Sequence, residues 1–124
     1  MFFSRPAGHK YVDRGDPSGA DFDETDLTVK GTWTEIDLSS IVPIGAVAVA
    51  IALEVDTAPA LATIQFRKKG NTNFIEGDGL TTQILDKSIR GTLILSCDSD
   101  RKIEYMLSEA TWNEIDFVVK GWFI

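Results

Sequence analysis

Apolar and polar residues alternate along most of this chain, and the longest alternating stretch is 46–55. Every second residue there is a branched aliphatic, namely Val47, Val49, Ile51, Leu53 and Val55. The residues between them are Ala48, Ala50, Ala52 and Glu54. Alanine favours helices, but a strict period of two with β-branched residues is typical of a strand. The stretch predicts a strand with one buried face and one small-residue face, which another backbone or subunit could approach closely.

Shorter stretches with the same period predict further strands at 32–38, 62–67, 102–107 and 111–124. In the last of these, we expect the buried face to hold Ile115, Phe117, Val119 and Phe123. The apolar run 91–97 predicts a strand buried on both faces. Two further short strands are predicted at 27–29 and 81–85.

Glycine and proline separate these segments about every eight to twelve residues, and no helical period is sustained. About eight short strands with such spacing are typical of an antiparallel β-sandwich or jelly roll. The sequence therefore predicts an all-β, jelly-roll-like sandwich of two sheets. We expect this sandwich domain to span 27–124.

Residues 1–26 differ from the rest, because they contain several glycines and prolines and an acidic run but no sustained period. We interpret them as an irregular N-terminal arm. Its aromatic residues are candidate anchors on a neighbouring subunit or on the domain itself: Phe2, Phe3, Tyr11 and Phe22. The small-residue face of 46–55 is the second candidate interface, formed by Ala48, Ala50 and Ala52.

One hexapeptide pattern occurs twice, as Thr32-Trp33-Thr34-Glu35-Ile36-Asp37 and as Thr111-Trp112-Asn113-Glu114-Ile115-Asp116. We expect the two copies to occupy equivalent places in the fold. Side by side, their carboxylates could form a glycosidase pair, although acids at alternate strand positions ordinarily line the solvent face. Exposed Trp33 and Trp112 could stack on sugar rings, or could belong to the core edge or to a subunit interface.

Composition narrows the classes of function. The 124 residues fit one domain, and the net charge of −7 with a pI near 4.6 disfavours nucleic acid and membrane surfaces as partners. Docking on a basic surface is compatible with this charge. No signal peptide or membrane-spanning stretch is predicted, so we expect synthesis in the cytoplasm.

Apart from the carboxylates of the repeated hexapeptide, the sequence offers no set of residues for catalysis or for a cofactor. The lone Cys97 cannot form an internal disulfide, and it is predicted to be a small buried residue. The single histidine, His9, has no local partner. The acidic run 21–26 lacks the glycine and glutamate of a calcium-binding EF-hand loop, and we interpret it as a solvated acidic segment. We therefore expect no enzymatic activity, no cofactor and no metal.

Four stretches resemble small β-sandwich virion structural proteins of tailed bacteriophages: 31–49, 66–73, 97–105 and 119–123. The resemblance implies a capsid cement (decoration) protein or a tail or fibre component. It further implies a homo-oligomer, with a trimer favoured, that binds the major capsid protein or other virion proteins. A carbohydrate- or receptor-binding module of a tail, fibre or head spike is the alternative.

Overall fold

The computed structural model describes residues 10–73 and 77–124, and these ranges form nine strands without a helix. The strands are β1 (Tyr11–Asp13), β2 (Phe22–Asp23), β3 (Thr34–Asp37), β4 (Ala48–Asp56), β5 (Thr63–Lys68), β6 (Asp78–Thr81), β7 (Ile89–Ser96), β8 (Lys102–Leu107) and β9 (Glu114–Phe123). The prediction of an all-β fold is confirmed. The described residues include no helix that is long and apolar enough to cross a membrane.

The strands form two antiparallel sheets. Sheet A has the order β1–β9–β4–β7, with β2 also paired to β9, and sheet B has the order β3–β8–β5–β6. Four pairs are nested inside one another along the chain: β2 with β9, β3 with β8, β4 with β7, and β5 with β6. This nesting is what a long hairpin produces when it is rolled into two layers, so the two-sheet sandwich has jelly-roll topology.

The core lies between the sheets and is built from the predicted alternation. Val49, Ile51, Leu53 and Val55 of β4 are at most 1% exposed. Phe66 of β5 and Phe117 of β9 meet between the layers, with ring centroids 5.5 Å apart. Ile103, Tyr105 and Leu107 of β8 are buried in the same layer, as their spacing predicts.

A β-bulge makes the end of β9 differ from the prediction. The register with β4 shifts between Ala50, which faces Gly121, and Ile51, which faces Val119, so Lys120 is the additional residue. Beyond the bulge, Trp122 packs against the core and Phe123 lies on the outer face. The expectation that Phe123 shares the buried face with Val119 is therefore wrong.

Four other strand expectations need correction. The strand predicted at 81–85 lies earlier, as β6 (Asp78–Thr81). The segment 91–97 is not buried on both faces, because β7 is an edge strand and Ile94 is 58% exposed on its outer side. Val47 precedes β4 and is 42% exposed. Residues 27–29 are not a strand, since the amides of Thr28 and Val29 donate to the Tyr105 hydroxyl at 3.1 Å instead.

The described part of the predicted arm contributes β1 and β2 to sheet A of the same chain. Between these strands, Arg14 forms a salt bridge with Asp21 and donates to the Val119 carbonyl at 3.0 Å. Asp21 also accepts from the Val119 amide at 2.8 Å, and its side chain is 10% exposed. Asp21 is thus a structural anchor, so the expectation of a uniformly solvated acidic segment is wrong at this residue.

Candidate functional site

The outer face of sheet A carries a continuous patch of small and apolar side chains. Residues directly opposite in register share a face, and each alanine of β4 lies between one residue of β7 and one of β9. The rows are Ser96–Ala48–Phe123, Ile94–Ala50–Gly121 and Thr92–Ala52–Val118. We call this surface the alanine face, defined by Ala48, Ala50, Ala52, Ile94, Val118 and Phe123.

Tyr11 extends the alanine face at its β1 side. Its ring packs against Phe123 with centroids 5.2 Å apart, and its side chain is 42% exposed. Gly121 lies beneath this ring, where a Cβ would collide with the Tyr11 phenol and with the Val12 carbonyl oxygen. The absence of a side chain at Gly121 therefore allows β1 and its tyrosine to lie close against β9.

An acidic cluster borders the alanine face where β9 begins. Glu54 of β4 lies opposite Asp116 of β9, and Asp116 lies opposite Asp23 of β2. The next outward pair is Asp56 with Glu114. We call these five carboxylates the acidic cluster. Arg90 of β7 pairs with Glu54 at 3.0 Å, but the arginine side chain is 79% exposed, so this contact is well screened by solvent.

The cluster is electrostatically strained. Partial burial raises the pKa of Glu114, and the nearby carboxylates of Glu54, Asp116 and Asp56 raise it further. Burial also raises the pKa of Asp116, with Glu54 and Asp23 adding to the effect. One carboxylate oxygen of Glu114 and one of Asp56 are buried without a hydrogen-bond partner. A cationic group placed here would relieve repulsion and supply the missing contacts.

A shallow depression joins the cluster to the alanine face. It has a volume of about 490 Å³, and its lining includes Ala52 and Val118 on the apolar side and Glu54, Asp116 and Arg90 on the polar side. Oxygens of Glu54, Glu114 and Asp116 lie within 4.8 Å of one another, an oxygen set of the kind that divalent cations use. The grouping of acids by itself assigns no ion.

The outer face of sheet B has a different character, because its charges are paired. Glu35 accepts from Lys69 and has Lys102 at 3.5 Å, and these contacts lower its pKa, chiefly through the Lys69 hydrogen bond. Arg67 forms a salt bridge with Glu104 at 2.8 Å. Its guanidinium also stacks over the Trp33 ring, 4.2 Å from the centroid.

The two tryptophans of the repeated hexapeptide occupy different environments. Trp33 is partly exposed on sheet B, with one ring face covered by Arg67. Trp112 is 7% exposed, and its indole nitrogen donates to the Glu109 carbonyl at 2.7 Å. Trp112 is therefore a core residue, and the expectation that it could stack on a sugar is wrong.

The two hexapeptide copies do not occupy equivalent places. One forms β3, at the edge of sheet B, and the other leads into β9, an interior strand of sheet A. Ile36 and Ile115 both point into the core, so the acids beside them point outward from opposite faces of the sandwich. Glu35 and Asp37 therefore cannot converge with Glu114 and Asp116 into the glycosidase pair considered from the sequence.

The other predicted site residues have distinct outcomes. Phe22 packs edge-on against Phe117 at 5.5 Å and so anchors β2 on its own domain. Cys97 is 4% exposed, as predicted, and burial raises the pKa of its thiol. Phe2, Phe3 and His9 lie outside the described residues.

Sequence reasoning missed the acidic cluster, which draws its members from three strands. Glu54 was correctly expected on the outward face of β4. Its encounter with Asp116 and Asp23 depends on β9 lying between β4 and β2, and strand order is not written in a local pattern. Comparison of the sequence with protein-family models and with curated proteins finds no match.

Proposed function

We propose that this protein is a non-enzymatic structural component of a virion, most specifically a capsid cement (decoration) protein that acts through contacts between subunits. The alanine face carries this proposal. Ile94 is 58% exposed and Tyr11 42% exposed on this surface, where Ala48 and Ala52 are partly exposed and Ala50 is only 7% exposed. A contiguous apolar patch with a polar border is typical of a protein–protein interface.

The contrast between the two sheets supports sheet A, and not sheet B, as the face that contacts partners in this proposal. Sheet B presents paired charges to solvent, as in the contacts of Glu35 with Lys69 and of Arg67 with Glu104. Sheet A presents apolar side chains, which gain from burial against a partner, and carboxylates of raised pKa, which gain from a partner's basic groups. In this proposal the partners are further copies, with a trimer favoured, and the major capsid protein or other virion proteins.

The test is co-sedimentation of the protein with capsid shells assembled from the major capsid protein of the same virus. We expect saturable binding at a fixed number of copies per shell. Ala52→Arg should abolish this binding, because it places a long charged side chain on the alanine face, in the row next to the acidic cluster. Gln65→Arg, on the outer face of sheet B, is the matched control and should bind as the native protein does. Absence of binding by the native chain would refute the cement role.

A tail, fibre or head-spike module that binds carbohydrate is the alternative, and Trp33 is the residue that favours it. Its ring is partly exposed and flanked by polar groups of sheet B. Binding on a glycan array that is lost in Trp33→Ala and retained in Ala52→Arg would support this role over the cement role.

A further inference from the structure

We propose that residues 1–9 of a neighbouring copy dock on the alanine face, with Phe2 or Phe3 in the depression beside Ala52 and Val118 and with Arg5 against Glu54 and Asp116. This inference rests on the proposed function, since it names the segment that joins the subunits. It assigns one occupant to a surface on which Ile94 and Tyr11 are 58% and 42% exposed in the described part of the chain.

Charge complementarity is the first argument. Among residues 1–10, Arg5 and Lys10 are basic and no residue is acidic, although the whole chain has 19 acidic residues against 12 basic ones. The acidic cluster has the opposite charge, since it contains five carboxylates. Arg90, which pairs with Glu54 of this cluster, is largely exposed to solvent. Two phenylalanines close to the arginine match an apolar depression beside carboxylates, and arginine is well suited to bind two carboxylates at once.

The course of the chain is the second argument, and it favours a neighbouring copy over the same copy. Lys10 and Ile124 exchange backbone hydrogen bonds of 2.8 and 2.9 Å. The chain therefore enters β1 at the end of β9 that is farthest from Asp116, about 25 Å away at ~3.3 Å per residue. Because β1 runs antiparallel to β9, a segment continuing outward from Lys10 leads away from its own acidic cluster. Reaching that cluster in the same copy would need a full reversal, and Arg5 is five residues from Lys10, a backbone span of at most about 17 Å.

A charge exchange in the full-length protein tests the contact. We expect Arg5→Glu and Asp116→Lys each to raise the dissociation constant of the oligomer at least tenfold in sedimentation equilibrium. The double variant Arg5→Glu/Asp116→Lys should recover most of the native affinity. Asp100→Lys, in the turn before β8, makes the same charge change away from this surface and should leave the constant unchanged. Thermal melts check that each variant is folded, and Arg5→Glu tests the idea even if Asp116→Lys does not fold.

Cross-linking distinguishes a neighbouring copy from the same copy. A Phe3→Cys variant mixed with an Ala52→Cys variant should give a disulfide-linked heterodimer, whereas Phe3→Cys mixed with Ser40→Cys should not. A native oligomer that is unaffected by Arg5→Glu would overturn this inference and leave the proposed function standing. A native protein that is monomeric at all concentrations and does not bind shells would overturn both. Rapid cross-linking within a single Phe3→Cys/Ala52→Cys chain, with none between chains, would also overturn the inference.

Discussion

Glu54 and Asp116 lie directly opposite each other on β4 and β9, so two carboxylates of like charge are cross-strand neighbours on the outer face of sheet A. Like charges in this position destabilise a sheet. Sequence patterns that favour folding avoid such pairs, and proteins that keep them commonly do so where a partner binds. The stability of the isolated domain should therefore improve when one member loses its charge.

Asp116→Asn should raise the free energy of unfolding by about 0.5 kcal/mol at pH 8, the size of a cross-strand charge effect near the surface. The pKa of Asp116 is raised above its ordinary value of 3.8 in the folded protein. Between those two pKa values the folded state binds more protons than the unfolded state, so native stability falls as pH rises through that window. The gain from Asp116→Asn should consequently shrink towards pH 3.

Urea denaturation at pH 3 and pH 8 measures this effect, and Asp100→Asn provides a control with the same change of charge. An Asp116→Asn variant that is less stable than the native protein at pH 8 would show that Asp116 is not under repulsion.

Gly121→Ala should destabilise the protein by about 1–3 kcal/mol, the usual cost of overpacking. The new methyl group would meet the Val12 carbonyl oxygen and the Tyr11 ring, so β1 must move away from β9. Gly19→Ala is the matched control, because no atom lies within 4 Å of a Cβ there, and its effect should be small. Hydrogen exchange should quicken at Tyr11–Asp13 in Gly121→Ala alone. Unchanged protection of β1 in that variant would contradict the predicted displacement.

Thr82→Val should cost about 1–3 kcal/mol, since it leaves a buried donor without a partner. The Thr82 hydroxyl accepts from the Ala62 amide at 2.8 Å and contacts the Thr57 hydroxyl at 2.9 Å, and both threonines are at most 1% exposed. Thr57→Val removes only the contact between hydroxyls and should cost less. Chemical denaturation of the two variants measures the difference, and an equal or reversed order would contradict the assignment of Thr82 as the acceptor.

Phe117→Ala should cost about 3–5 kcal/mol, as is usual for a fully buried aromatic residue. Phe117 contacts Phe66 across the two sheets and Phe22 within sheet A. Phe22→Ala should cost clearly less, because Phe22 is only partly buried. Urea denaturation compares the two variants. A Phe22→Ala cost equal to that of Phe117→Ala would show that β2 is as central to the core as β9.

The fold was largely predictable because the core uses simple alternation. Val49, Ile51, Leu53 and Val55 had to share a face, and the structure buries all four. The bulge at Lys120 was missed, although Gly121 stands where the alternation requires an inward apolar residue, and a lone glycine within a strand often marks a bulge. The sequence also did not show that β7 is buried on one face only. Its edge position in sheet A depends on the order of the strands.

The candidate site was predictable only in part. The alanine face follows directly from the period of 46–55. By contrast, Trp33 and Trp112 stand in nearly identical local sequences and yet one is partly exposed and the other buried. Their difference comes from tertiary position, with Arg67 beside one and the Glu109 carbonyl beside the other. The acidic cluster likewise exists only because distant segments become neighbours in sheet A.

The central claim is that the alanine face is an assembly surface. The oligomeric state of the Ala52→Arg variant in solution tests it most directly. Sedimentation equilibrium should show an oligomer for the native protein and for Gln65→Arg, and a folded monomer for Ala52→Arg. An Ala52→Arg variant that forms the same oligomer as the native protein would contradict the claim, as would a native protein that is monomeric throughout.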